Sequence, residues 1–360
     1  MLICLVAAGG PSGLFKSWNP QPVSQRMARK AVHEWIEKNP RDPNFKQLWE
    51  GGTHPSLALM GEENAEAYKR VVTEALKMDF EEGAEGTVEC RIVNGLYNPR
   101  LLYHAMATPI LSESELAALG FTPDRVREVV KKFQNNLNYN LFDLSEGRWC
   151  PVSNSPFGVN NGFHEFKEIR VEDFAFRLWI LKSMGCLDLV DQEGLVCRIA
   201  GLQITDSFTL PEDFIPIDIN QTSGLFHLGH RSLGETWAAL WILEMLGALD
   251  QIDREACIQG LLRLHRGKGV FMVYSPFETD KQIEGNEDET FYALESLARL
   301  NALDRIPDFQ KWEFHPVTHN VTQPLKEGRS QTSPGHVTDA TLRSWAYQER
   351  LGQLQKKALE

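Results

Sequence analysis

Cysteine is scarce and never paired: six residues, at positions 4, 90, 150, 186, 197 and 257, stand apart with no CxxC among them. That spacing excludes a dense disulfide framework and a zinc ribbon, and points to reduced, mostly buried thiols in a cytoplasmic setting. Positive charge is in deficit too, 37 Lys and Arg against 49 Asp and Glu, for a net charge of −12. Nucleic acid and anionic membrane both need a basic face to displace counterions, so neither is expected as a main partner. The apolar start, seven residues from Leu2 to Ala8, is too short to span a bilayer and lacks the basic flank of a secretory signal. A clipped signal is the alternative reading, under which the chain is secreted. Asn220-Gln221-Thr222 and Asn320-Val321-Thr322 would then be glycosylation acceptors. A Walker loop, a dinucleotide glycine turn, GxSxG and HExxH are also missing. What remains is an average globular composition, 42% hydrophobic and 24% charged over 360 residues. That length suits two domains or one closed helical architecture.

The second half repeats itself. DFAFRLWILKSMGCLDLVD (173–191) aligns with ETWAALWILEMLGALDQID (235–253) at an offset of 62, and ETFYALESLARLNALDRIP (289–307) follows at an offset of 54. Each copy opens on an acid, Asp173, Glu235 or Glu289, where negative charge complements a helix dipole. Each stops at Gly185, Gly247 or Asn301, the residue types that best tolerate the left-handed conformation of a C-cap. Asp191 and Asp253 then stand as N-caps of second helices over 192–203 and 254–266, so the unit is a helical hairpin. The first helices, 174–184, 237–246 and 291–300, are expected inside. In 237–246 only Glu244 is charged, and a helix without a polar face must be surrounded by protein. Glycine loops precede them at Asn161-Gly162-Phe163, Ser223-Gly224-Leu225-Phe226 and Lys268-Gly269-Val270-Phe271, and the third unit breaks off at Pro307 as a terminal cap.

The first half is less regular. Periodicity and charge placement predict helices over 26–38, 62–78 and 123–137, and a long loop follows over 138–162. These helices fit either degenerate repeats or a separate helical subdomain. Residues 323–338 read as linker and 339–358 as a polar terminal helix.

A unit of glycine loop, acid, aromatic helix, Leu-Gly-x-Leu-Asp and second helix resembles the prenyltransferase and squalene-cyclase repeat, carried by ETWAALWILEMLGALD and ETFYALESLARLNALD. The resemblance implies an all-α protein, an α/α toroid in which hairpins close into a double ring around an apolar, isoprenoid-holding centre. On this basis residues 1–22 form an N-terminal arm, 23–322 the toroid domain with clear repeats over 160–307, and 323–360 the linker and terminal helix. The family's zinc ligands, an Asp-x-Cys pair and a later His, are replaced here by Asp173-Phe174-Ala175, Glu235-Thr236-Trp237 and Glu289-Thr290-Phe291. Neither the cyclases' Asp-x-Asp-Asp acid nor their Gln-Trp repeats occur. Pro216-Ile217-Asp218-Ile219-Asn220 is the nearest string to the acid motif. No metal and no cofactor is therefore expected.

The candidate catalytic residues are Asp173, Glu235, Glu289 and His227. In a closed ring the three acids converge on one mouth of the cavity, as acid and base or cation holders. Dipole complementation at three helix starts explains the same positions without chemistry. His227 and His230 form an HxxH after a glycine loop, yet zinc needs a third ligand that is not nearby. Pro316 weakens the HxxxH of His315 and His319, and His164 is a further candidate loop donor. The candidate substrate-binding residues are Phe176, Trp179, Trp237, Trp241, Phe291 and Tyr292. Their faces suit a carbocation or a sugar ring, and core packing explains them equally. The expected partner is a hydrophobic small molecule in a lining almost free of charge, with prenyl-transfer or terpene-cyclase-like chemistry if the chain is an enzyme. The alternatives are a glycosidase or polysaccharide lyase on the same ring, using paired carboxylates, and a scaffold without catalysis.

Overall fold

The computed structural model describes residues 62–77, 86–97, 99–107, 110–134, 171–205, 223–226, 233–265, 271, 287–312 and 350–360. The expected helix at 26–38, the loop at 138–162, the linker at 323–338 and the residues of the N-terminal arm lie outside these. Among the described residues the structure is helical and has no strand beyond two isolated bridges. The helices are α1 (Glu62–Lys77), α2 (Val88–Tyr97), α3 (Pro99–Ala107), α4 (Glu113–Ala118) and α5 (Pro123–Gln134), then α6 (Val171–Ser183), α7 (Gln192–Ala200), α8 (Leu233–Met245), α9 (Arg254–Arg263) and α10 (Glu287–Arg299). Residues 350–357 are helical as well. No described helix is long and apolar enough to cross a membrane.

The three repeat copies fold alike because their ends are locally encoded. α6, α8 and α10 each begin two residues before the acid of the repeat. Each ends on a left-handed residue, Gly185 at φ 64°, Gly247 at φ 68° and Asn301 at φ 55°. There the chain doubles back, with Cys186 N–H donating to Leu181 O, Ala248 N–H to Leu243 O and Ala302 N–H to Leu297 O at 2.7 to 2.9 Å. This is the six-to-one hydrogen bond of a Schellman stop. A single turn of 3-10 helix follows at Leu187–Leu189, Leu249–Gln251 and Leu303–Arg305. The Asp191 carboxylate then accepts from Gly194 N–H at 3.0 Å and the Asp253 carboxylate from Ala256 N–H at 2.9 Å, capping α7 and α9.

Glycine at 224 answers a steric demand: with φ at 89°, a Cβ there would lie 2.1 Å from the carbonyl oxygen of Ala256. This close approach lets the loop bring Phe226 back to bridge Gln203, and Phe271 bridges His265 in the same way one unit later. Thr236 and Thr290, which follow the repeat acids, accept from the N–H of Phe226 and of Phe271 at 3.2 and 3.3 Å. The loop-to-helix hook is thus copied along with the helix.

α8 packs against α6 on one side and α10 on the other, and α6 packs in turn against α3, so four helices form one row. Every residue of α8 except Glu244 is buried, at about 1.5–3 kcal/mol for each large apolar side chain removed from water. The one-sided helices α7 and α9, buried through Leu195 and Ile199 and through Cys257, Ile258 and Leu261, lean on the next inner helix, α7 on α8 and α9 on α10. Cations close the carboxyl ends of the row. Arg127 donates to Gly185 O, Lys182 to Met245 O, Arg254 to Leu300 O and Lys357 to Ala298 O. Each supplies donors and positive charge where helix carbonyls have lost their partners.

Two apolar clusters meet at α6. One gathers α1 to α5 around Ile92, Leu102, Val126 and Phe121, and takes Ile180, Leu181 and Met184 from the carboxyl half of α6 and the turn after it. The other gathers α6 to α10 around Trp237, Trp241, Leu240 and Leu297, and includes Leu351 and Leu354. Tyr103 and Trp179 pack against both.

Candidate functional site

The row presents an aromatic array. Tyr103 on α3 lies 4.7 Å, ring centre to ring centre, from both Phe176 and Trp179 on α6, and 5.4 Å from Trp241 on α8. Phe176 reaches Trp241 at 5.4 Å and Trp237 at 5.8 Å. Trp237 in turn lies 5.2 Å from Trp241 and 5.3 Å from Tyr292 on α10. Spacings of three or four residues, 176 with 179 and 237 with 241, put each pair on one helix face, so four helices turn a single aromatic stripe toward one another. Most of these contacts are tilted or edge-on, the arrangement that ring quadrupoles favour.

Five of the six aromatic residues expected to bind ligand therefore share one array. The sixth, Phe291, is buried in the same core. The three repeat acids stand in the first turns of α6, α8 and α10. Glu289 accepts the N–H of Leu233 at 2.7 Å, so it caps the start of the neighbouring helix α8. Glu235 is buried, at 1% exposure, in the first turn of α8. Asp173 lies in the first turn of α6, and its side chain is outside the described residues. His227, His230, His164, His315 and His319 also lie outside them. Among the described residues no group of three or more His, Cys, Asp or Glu is placed to hold a metal ion.

Charge stands beside the array, where the sequence led us to expect almost none. At the offset of 54, Glu295 takes the position that Trp241 holds in the preceding copy, and it is buried. Arg350, from the helical residues 350–357, grips its carboxylate through Nε and through Nη2, the latter at 2.9 Å. Arg299 reaches the same carboxylate at 3.2 Å. The Arg299 guanidinium also lies 5.6 Å from the ring centre of Trp241 and 6.0 Å from that of Trp237, within cation–π range, and its Nε is 3.1 Å from a Glu244 oxygen. Arg100 stands 5.7 Å from the ring of Phe176.

These neighbours fix the protonation states. Burial pushes the Glu295 carboxyl up, but hydrogen bonding from Arg350 and the charges of Arg299 and Arg350 outweigh it, leaving the carboxyl below its usual value and ionised at neutral pH. Burial pushes the Tyr103 phenol up to about 12, so it keeps its proton. Cys257, pushed up to about 12 by burial, is a thiol rather than a thiolate. A general acid works best with a value near the ambient pH, and neither Glu295 nor Tyr103 is tuned that way. The arrangement is chemically suited to holding a ligand against rings, with a neutralised ion-pair cluster at its side.

One buried donor in the array has no partner: Trp237 Nε1 makes no hydrogen bond among the described residues. No family model, curated protein or solved structure matches the chain. The reading of the site therefore rests on its own residues. Sequence reasoning missed Glu295, Arg299, Arg350, Arg100 and Tyr103. Glu295 had a signal, a charge at a repeat position that holds tryptophan in the two earlier copies. Tyr103 had none, because α3 carries neither the glycine stop nor the leading acid of the repeat.

Proposed function

We propose that this chain binds an apolar, isoprenoid-like small molecule against the aromatic array of its inner helices, and that the row α3, α6, α8, α10 is an arc of an α/α toroid related to the prenyltransferase and squalene-cyclase repeat. The observation that carries the reading is the convergence of Tyr103, Phe176, Trp179, Trp237, Trp241 and Tyr292 from four successive helices onto one face. Two further features support it. Trp179 and Tyr103 are only partly buried, which leaves ring surface at the edge of the array. The charge beside the array is taken up in its own ion pairs, Glu295 being held by Arg350 and Arg299, which leaves the rings as the contact surface.

The test is ligand-dependent thermal stability. A long-chain isoprenoid alcohol at about a hundredfold excess over its Kd contributes about 2.7 kcal/mol and raises Tm by several degrees. Neutral oligosaccharides leave it unchanged. Trp241→Ala, measured against its own unliganded Tm, loses more of the shift than Glu235→Gln does. Stabilisation by a uronate or neutral sugar that depends on Glu235 or Glu289 would overturn the reading in favour of a carbohydrate-active site.

A further inference from the structure

Trp237 sits at the middle of the array, 3% exposed, against Phe176, Trp241 and Tyr292, with Arg299 over its face. Its indole Nε1–H is a strong donor buried without an acceptor among the described residues. Leaving such a donor unmet costs about 1–3 kcal/mol, and native proteins do so rarely enough that each case calls for a cause. Packing alone does not require it. Phenylalanine fills this kind of position elsewhere in the chain, as Phe176 and Phe291 do, at no polar cost.

We infer that the ligand of the aromatic array carries one uncharged hydrogen-bond acceptor, an ether, carbonyl or hydroxyl oxygen, that takes the Nε1–H of Trp237. The inference rests on the proposed binding function and adds the polar chemistry of its ligand. An acceptor follows from the donor: indole N–H gives a hydrogen bond and cannot receive one. Absence of charge follows from the neighbours. The charges of Arg299 and Arg350 are already matched by Glu295 and Glu244, at 2.9 Å from Arg350 Nη2 and 3.2 Å from Arg299 Nη1 to Glu295, while Arg299 Nε lies 3.1 Å from Glu244 as an ion pair without a hydrogen bond. An anionic group arriving there would have to displace a carboxylate or meet its repulsion. An uncharged oxygen satisfies the donor and leaves that cluster intact. The rest of the ligand remains apolar, because rings surround the donor. Other buried polar atoms without partners are less suggestive: Asn94 Nδ2 belongs to a half-buried side chain on α2, and His265 Nε2 belongs to a ring wedged between Phe271 and Trp312.

The experiment compares two probes on the full chain, geranylgeranyl methyl ether and the matched hydrocarbon in which a methylene replaces the oxygen. Binding is measured by titration calorimetry on wild type and on Trp237→Phe, which keeps the ring and removes the donor. Wild type is expected to prefer the ether by about five- to tenfold, the worth of one ordinary hydrogen bond, and Trp237→Phe to bind both alike. With 15N-indole tryptophan, the Trp237 Hε1 resonance is expected to move downfield with the ether and not with the hydrocarbon. This reading uses wild type alone and stands even if the variant does not fold. Equal affinities in wild type, or an Hε1 resonance that the ether does not move, overturn the inference and leave the apolar site standing. An ether preference that survives in Trp237→Phe overturns it as well, since the acceptor is then met elsewhere. Failure of both probes to bind wild type overturns the binding function and the inference together.

Discussion

The two apolar clusters are built from different materials. Around α1 to α5 the core is aliphatic, with Val72, Leu76, Ile92, Leu96, Leu102, Val126 and Val130 buried beside Phe121. Around α6 to α10 it is aromatic along one stripe and flanked by the pair Glu295 and Arg350. Both clusters are buried, so volume filling alone does not explain the difference. Aliphatic side chains fill space and ask for nothing else. Tryptophan and tyrosine bring a polar atom that needs a partner, and a buried carboxylate needs compensating cations. Polar groups are buried beside the first cluster too, at His104 and at Arg177, which donates to Leu96 O, but the second adds a buried carboxylate with its cations where the four helices of the row face one another.

The comparison is broken most severely by Trp241→Ala. It is expected to cost about 3–5 kcal/mol in urea unfolding and to remove ligand-induced stabilisation. Leu102→Ala, in the aliphatic cluster, is expected to cost about 2–5 kcal/mol while the ligand response of the folded fraction persists. Loss of the response in Leu102→Ala would show that the clusters are one functional unit. Arg350→Ala comes next, at about 1–3 kcal/mol. The cost stays below that of breaking a fully buried pair because Arg299 remains on Glu295 and the Arg350 side chain is about a third exposed. Replacing the pair by Glu295→Leu with Arg350→Leu is expected to recover most of that loss, and a further loss instead would mark the ions as structurally required.

Acid sharpens the same contrast. Because the folded carboxyl of Glu295 lies below its ordinary value of 4.5, its contribution is fully present above about pH 4.5 and is lost as pH falls through the folded value. Glu115 and Glu255, both held down to about 2 by Lys69 and Arg305 respectively, act in the same window on the two sides of the comparison. Stability measured from pH 6 to pH 2 should fall in wild type and fall less in the variant that combines Glu295→Leu with Arg350→Leu. The smallest effects belong to the helix stops. Gly247→Ala forces a Cβ into the left-handed region and is expected to cost about 1–2 kcal/mol, whereas Asn301→Gly relieves a mild strain and is expected to raise stability by a few tenths.

Legibility followed the range of the forces involved. The stops at Gly185, Gly247 and Asn301 and the caps at Asp191 and Asp253 were readable because each is settled within six residues of chain. Starts were less exact, each helix beginning two residues ahead of its acid. The all-α class followed from those ends. The place of α3 in the row was hidden, since it depends on Tyr103 finding Phe176 and Trp179 across some 70 positions rather than on any local signature. The aromatic stripe was visible as matched tryptophans, but the charge beside it was not, because a Glu and an Arg four apart on a helix ordinarily lie in solvent. Glu295 is instead an interior residue, and Arg350, which bonds its carboxylate, arrives from 55 positions downstream.

That separation sets an order of events during synthesis. Glu295 and its near partner Arg299 are made together, and Arg350 is made 55 residues after Glu295. At about 5–20 residues per second the interval is roughly 3–11 s. For that time every residue of the aromatic stripe has been made but Arg350 of its ion pair has not, and neither have Leu351 and Leu354, which cover part of the same core. A nascent chain in this state offers apolar surface beside an undermatched carboxylate until residues 350–354 arrive.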